Sequence, residues 1–238
     1  MNFPKLNILS HSFGLAAIAS MATVTLGACT STTNPETSTA NSPVAVVPSP
    51  TSSAKSTMHD MGSMHNMGNM AMDLGPADEH FDHRFIDAMI PHHQGAVVMA
   101  KEAQQKSTRP EIKKLADDII KAQTKEISEL ETWRKQWYAN VGNKPMAYNT
   151  KSGTMMEMNK DQINGMMMSQ NLGAKDAEFD LRFINAMIPH HEGAVTMAQN
   201  AATKSTRPEI KKLAQDIISS QQVEIKQMQQ WKQDWYKK

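Results

Sequence analysis

The stretch Phe85-Ile86-Asp87-Ala88-Met89-Ile90-Pro91-His92-His93-Gln94-Gly95-Ala96-Val97-Val98-Met99-Ala100 decides the fold, because the chain contains it twice. The second copy runs from Phe183 to Ala198 and repeats the Pro-His-His core at Pro189, His190 and His191. Outward from this core, Phe85 to Tyr138 aligns without gaps to Phe183 to Tyr236, and 34 of the 54 positions are identical. A repeat of this strength makes each copy one supersecondary unit. Within the stretch, Ile86, Met89, Ile90, His93, Val97 and Ala100 share one helical stripe, and Phe85, Met89, His92, Ala96 and Met99 share the adjoining one. Both imidazoles therefore fall on or beside the apolar face.

Each copy reads as a helical hairpin. The first helix is expected from about Ala77 to Lys106, and again from about Asp176 to Lys204. The break is Ser107-Thr108-Arg109-Pro110-Glu111, repeated as Ser205-Thr206-Arg207-Pro208-Glu209. Thr108 with Glu111 has the spacing of a capping box, and Pro110 falls in a first turn, where its missing N–H costs nothing. The second helix carries Ile112, Ala116, Ile119, Gln123, Glu126, Leu130, Trp133 and Trp137, spaced alternately four and three, with Ile210 to Trp235 in the other copy. That spacing is a buried seam. One hairpin alone leaves its seam wet, so two hairpins joined by a long connection are expected to close as one four-helix bundle. The organisation expected is a first repeat over 75–138, a Met- and Gly-rich linker over 139–174 and a second repeat over 175–238.

Neighbouring residues on a helix point about 100° apart. His92 and His93, like His190 and His191, are therefore not expected to hold one ion alone. Each would join Met89, Met99, another helix or the opposite repeat, with Met187 and Met197 as the second-copy counterparts. Two readings stand: metal ligands, or core histidines bonded to carboxylates. Gln123 and Glu126, with Gln221 and Glu224, interrupt the apolar seam. A buried carboxylate needs a partner, so these serve as ligands or outer acceptors for a ligating His, or as a polar layer that fixes register.

The N-terminal part has a different character. Residues 1–28 hold Lys5, an apolar run and Leu26-Gly27-Ala28 before Cys29, and this resembles a bacterial lipoprotein signal with Cys29 as the lipidated residue. The expected location is outside the cytoplasm, membrane-anchored, on the periplasmic face of an outer membrane in a Gram-negative cell. Residues 29–57, rich in Ser, Thr, Pro and Ala, read as a disordered tether. The 58–74 segment reads as flexible and brings Met58, His59, Met61, Met64, His65, Met67 and Met70 close together. Thioether and imidazole suit Cu(I) and, by the same softness, Ag(I). Cys29 is the only cysteine, so if it is lipidated the mature protein has no free thiol, and thiolate metal sites and disulfides are excluded. A formal net charge of +1, with no basic cluster carrying interleaved aromatics, argues against nucleic acid as a partner.

The doubled Phe-Ile-x-Ala-Met-Ile-Pro-His-His-x-Gly-Ala-Val-x-Met-Ala motif, followed by Asp-Ile-Ile-x-x-Gln-x-x-Glu-Ile, resembles the bacterial family called domain of unknown function 305. The resemblance implies an all-α, ferritin-like fold and an exported protein, and the family includes copper-binding, copper-resistance proteins of the CopM type. It also implies metal-related roles for His92, His93, Met89 and Met99 and for His190, His191, Met187 and Met197. The Glu-x-x-His pairs of ferritin-type di-iron sites are missing: His80 and His83 correspond to Glu178 and Leu181. The reading is thus a non-enzymatic protein that sequesters or hands over copper, with a membrane contact through its lipid and a copper-export or delivery partner. Its rivals are a metal-dependent oxidase and a structural lipoprotein without metal.

Overall fold

A computed structural model describes residues 73–237. The signal, Cys29, the tether and Met58 to Met72 lie outside the described residues. Two long hairpins make up most of the molecule. Helix α1 (Phe81–Lys106) is followed by α2 (Pro110–Trp137), and α4 (Phe179–Lys204) by α5 (Pro208–Tyr236). Between them the linker folds into a two-stranded antiparallel hairpin, β1 (Met146–Asn149) and β2 (Thr154–Glu157), then a short helix α3 (Lys160–Met167). The helical bundle is the one expected, and the linker's strands and helix are additions to it. Among the described residues no helix is long and apolar enough to cross a membrane.

The hairpin break forms where the sequence puts it but by a different device. Pro110 occupies the first turn, and the cap position is Arg109, which makes no side-chain cap hydrogen bond. The Thr108/Glu111 capping box is therefore corrected. Ser107, buried, takes its place: its Oγ accepts from the Arg109 N–H at 3.1 Å, while its own N–H closes α1 on the Ala103 carbonyl. Ser205 repeats both contacts in the second copy.

The apolar stripes assemble into two core clusters related by the repeat. One joins Phe85, Ile86 and Met89 of α1, Leu130 of α2, Met197 and Ala201 of α4, and Ile210 and Ile217 of α5. The other joins Met99 and Ala103, Ile112 and Ile119, Phe183 and Met187, and Met228. The start of α1 thus packs with the end of α4 and the reverse, so these two helices cross antiparallel at the centre. Each fully buried Ile, Leu, Met or Phe contributes roughly 1.5–3 kcal/mol. Trp133 and Trp137 stack 5.4 Å apart at the half-exposed end of their seam, as Trp231 and Trp235 do at 5.1 Å. Arg109 lies over the Trp235 ring at 4.1 Å and within 3.5 Å of Asp180; Arg207 lies over Trp137 at 4.0 Å and within 3.6 Å of Asp82. Each hairpin's turn is so clasped to the other hairpin by a cation–π contact.

The start of the linker is tied to the first hairpin, while its end also meets the second, where Arg182 Nε donates to the Leu172 carbonyl at 2.6 Å. Asp87 on α1 accepts from Arg134 Nε at 2.5 Å and from the Met146 N–H at 2.8 Å, and lies 3.0 Å from His83 Nε2. Arg134 also donates to the Gly142 and Lys144 carbonyls, and the His83 ring stacks on Tyr138 at 4.3 Å. The corresponding second-copy residues are Leu181, Asn185 and Lys232, which lack this chemistry. Helix α3 begins on a capping box made by Asn159 and Gln162, both contacts 2.9 Å. Its C-terminal end lies on Gly95, where a Cβ would come within 1.8 Å of the Met167 carbonyl oxygen. Only a residue without Cβ lets α3 lie this close.

Gly95→Ala is therefore expected to destabilise the protein by about 1–3 kcal/mol, the cost of overpacking against a backbone atom. Gly165→Ala in α3, where an added Cβ meets nothing within 4 Å, should instead be neutral or stabilising by up to about 1 kcal/mol. Urea unfolding of both variants checks the contrast, and a Gly95→Ala protein as stable as the parent would remove the close approach from the account.

Candidate functional site: a buried histidine layer

Where α1 and α4 cross, the two apolar clusters are separated by polar side chains. His92, His93, His190 and His191 are all fully buried. The rings of His92 and His190, from opposite hairpins, lie 3.9 Å apart between centroids and tilted by 48°. Within each pair the rings are over 6 Å apart, 6.4 Å for His92 and His93 and 6.3 Å for His190 and His191. The 100° rotation between neighbours thus sends one imidazole of each pair across the molecular centre and the other toward its own hairpin. His191 Nε2 is hydrogen-bonded to Glu224 Oε2 at 2.6 Å. His93 Nε2 lies 2.9 Å from Glu126 Oε2, close enough for an ion pair but poorly aligned for a hydrogen bond. Gln123 and Gln221, one turn back on α2 and α5, are buried with unpartnered side-chain oxygens.

The layer is short of hydrogen bonds. All four Nδ1 atoms lack a hydrogen-bond partner, and so do His92 Nε2 and His93 Nε2, although the latter faces the Glu126 carboxylate. His190 Nε2, by contrast, reaches the Met167 carbonyl at 3.1 Å, the same carbonyl that rests on Gly95. A buried polar group left unpaired costs about 1–3 kcal/mol, and native interiors pair nearly all of them. Burial pushes His92 well below the ordinary histidine range, helped by the mutual repulsion of His190, His93 and His191. His190 is lowered to about 3, again by burial first and then by His191 and His93. Both imidazoles are neutral at physiological pH and present ring lone pairs to the protein interior, which is the form a metal ligand needs.

Among the described residues, no group of three or more His, Cys, Asp or Glu converges as a metal site would require. Further donors near the layer are thioethers. Met89, Met99, Met187 and Met197 are all fully buried, Met89 and Met197 in the cluster on one side of the layer, Met99 and Met187 in the other. The structure thus brings His92 and His190 together, with Met89 and Met197 in one apolar cluster and Met99 and Met187 in the other, while His93 and His191 turn to Glu126 and Glu224. Met58, His59, Met61, Met64, His65, Met67 and Met70 lie outside the described residues. Periodicity did not single out His83, Asp87, Arg134 or the Met167 carbonyl. The available signal was comparative: His83 and Asp87 are places where the two copies differ, at Leu181 and Asn185.

A duplicated hairpin closed around a crossing of buried histidines defines a pseudo-symmetric four-helix-bundle protein. The chain belongs to the family described as domain of unknown function (DUF305), whose profile matches residues 20–134 and 82–232. It is similar to a solved structure described as CopM in the Cu(II)-bound form, 46% identical, covering 65% of this chain and 97% of that one with a TM-score of 0.53. CopM in an Ag-bound form obtained by soaking is 43% identical over the same shares, with a TM-score of 0.51. A protein of Acanthamoeba polyphaga mimivirus, described as uncharacterized protein L153, is 49% identical over 49 residues, 21% of this chain. The match spans about a third of that relative's length, 32%.

The two neutral histidines set a pH dependence for the metal-free protein. In the unfolded chain they take up protons near pH 6.5, whereas folded His190 does so only near 3. Between these values the unfolded state binds more protons, so stability rises with pH. It is complete above about pH 6.5 and is lost progressively as the pH falls toward 3. Thermal melts of the metal-free protein between pH 7.5 and 4.5 should show this decline, and His190→Gln should flatten it. A variant with the parent's slope would contradict the assignment.

Proposed function

We propose that the protein binds copper as a cargo, preferring Cu(I) and accepting Ag(I), outside the cytoplasm, for sequestration or handover rather than catalysis. The observation that carries this reading is the His92–His190 pair: two neutral, buried imidazoles from opposite hairpins, in contact, with His92 unpaired at both nitrogens. A monovalent d¹⁰ ion needs few ligands and favours imidazole and thioether, and it carries less charge into a buried core than a divalent ion does. Similarity to CopM, solved with Cu(II) and with silver, supports the metal class. One ring nitrogen from His92 and one from His190 would hold the ion. His93 and His191, fixed by Glu126 and Glu224, would supply further donors or hold the layer's register. Met89, Met99, Met187 and Met197 would line its approach.

The N-terminal segment extends the same reading. Met58, Met61, Met64, Met67 and Met70, with His59 and His65, would capture the ion, and lipidation at Cys29 would keep the protein at a membrane. Release to a copper-export or delivery partner completes the proposal. Uptake and release of the ion involve no chemical conversion of a substrate.

The test is Cu(I) titration of three proteins: the mature chain, a form lacking residues 58–72, and His92→Ala/His190→Ala. Removing 58–72 should lower the stoichiometry and leave the tightest equivalent in place. The double variant should weaken that equivalent by about 100-fold or more, and copper should no longer raise its melting temperature. If the double variant keeps both the tight equivalent and the copper-induced rise in melting temperature, the proposal fails.

A further inference from the structure

Outside the histidine layer, the linker encloses an open cavity of about 380 Å³ between its strand hairpin and α3. Three thioether side chains line it: Met156, Met158 and Met166. Met156 lies on β2, and Met158 follows that strand's last residue, with its N–H donating to the Pro145 carbonyl at 2.8 Å. Met155, between Thr154 and Met156 on β2, meets Arg84 Nη1 through its sulfur at 3.4 Å, whereas Met156 and Met158 both line the cavity. Met166 comes from α3 across the gap. Met158 and Met166 are buried and belong to the core cluster, whereas Met156 is half-buried, with its sulfur 4.0 Å from Gln162 Nε2, itself in the cavity wall. The carboxylates of Asp73 and Asp161 also line the cavity, against one cation, Lys151.

We infer that this cavity is a second soft-metal site, taking Cu(I) or Ag(I) on the sulfurs of Met156, Met158 and Met166. Thioethers are neutral, soft donors that discriminate against Zn²⁺, Mg²⁺ and Ca²⁺. Three of them from two elements supply the low coordination number a monovalent d¹⁰ ion accepts. Asp73 and Asp161 raise the local concentration of cations without binding a soft ion strongly. Gap-filling explains Met158 and Met166, which pack into the core, but not a half-buried Met156 on an open cavity. The site also has a position on a route. Asp73 follows Met72 directly in sequence, and Met166 is the neighbour of Met167, whose carbonyl holds His190. An ion here stands between the entry of the chain into the bundle and the histidine layer. Occupation of the site does not require that the layer bind metal.

The experiment uses the mature protein labelled with ¹³C at the methionine methyls and titrated with Ag(I), followed by NMR and by calorimetric stoichiometry. Three variants accompany it: Met156→Leu/Met158→Leu/Met166→Leu, which keeps volume and removes only sulfur; the single Met156→Leu, at the half-buried position, which preserves the fold if the triple does not; and His92→Gln/His190→Gln. The methyl signals of Met156, Met158 and Met166 should shift together. The triple variant should lose one equivalent, and Met156→Leu should weaken that equivalent by about tenfold. The histidine variant should keep it, so failure of the layer and failure of this site are read separately. Unmoved methyl signals, with unchanged stoichiometry and affinity in the Met→Leu proteins, would overturn the inference.

Discussion

The antiparallel crossing of α1 and α4 places His92 on His190, and the remaining packing is organised around that contact. A core built only of Ile, Leu and Ala at this crossing would be drier and more stable by the usual accounting of buried polar groups. Here the core is divided in two, with one apolar cluster on each side of a layer that holds four fully buried histidines. The layer leaves ring nitrogens unpaired and forces His92 and His190 to stay neutral. The turn clasps of Arg109 on Trp235 and Arg207 on Trp137 keep the two hairpins together around this costly centre. Glu126 and Glu224 fix the outward pair of imidazoles. The inward pair remains uncommitted on the His92 side.

Duplication made the crossing possible, and divergence between the copies gave it a direction. In a perfect repeat His92 and His190 would be equivalent. They differ because the linker follows only the first hairpin. Asp87 and Arg134 anchor its start, and Gly95 admits its end, so that the Met167 carbonyl reaches His190 and leaves His92 without a hydrogen bond. One side of the layer is capped by backbone. The other carries the more available imidazole, and the cap on His190 is a single hydrogen bond that a stronger ligand can replace.

How much of this was legible in the sequence depends on the range of the interaction. The hairpins, their breaks and the seam from Ile112 to Leu130 follow from local periodicity and from Pro110, and the helices begin and end within a few residues of expectation. The divergence of His92 and His93, about 100° apart, also follows from helix geometry alone. Which imidazole would face the other repeat does not, because it depends on the crossing. The capping box of Thr108 and Glu111 does not form because the helix begins one residue later than it requires: Arg109 takes the cap position and Pro110 the first turn, while Ser107, extended, puts its hydroxyl on the Arg109 N–H. The linker's strands were hidden in a stretch rich in Gly, Asn and Met. They form where Asp87, sixty residues or so earlier, accepts from the Met146 N–H, and no local pattern encodes that contact.

The most direct measurement is an anomalous difference map, collected at the copper absorption edge, from crystals of the mature protein loaded with Cu(I). A strong peak is expected at the helix crossing, within about 2 Å of one ring nitrogen of His92 and one of His190, the usual metal–imidazole distance. Fully loaded crystals with copper elsewhere and no peak between these two rings would contradict it.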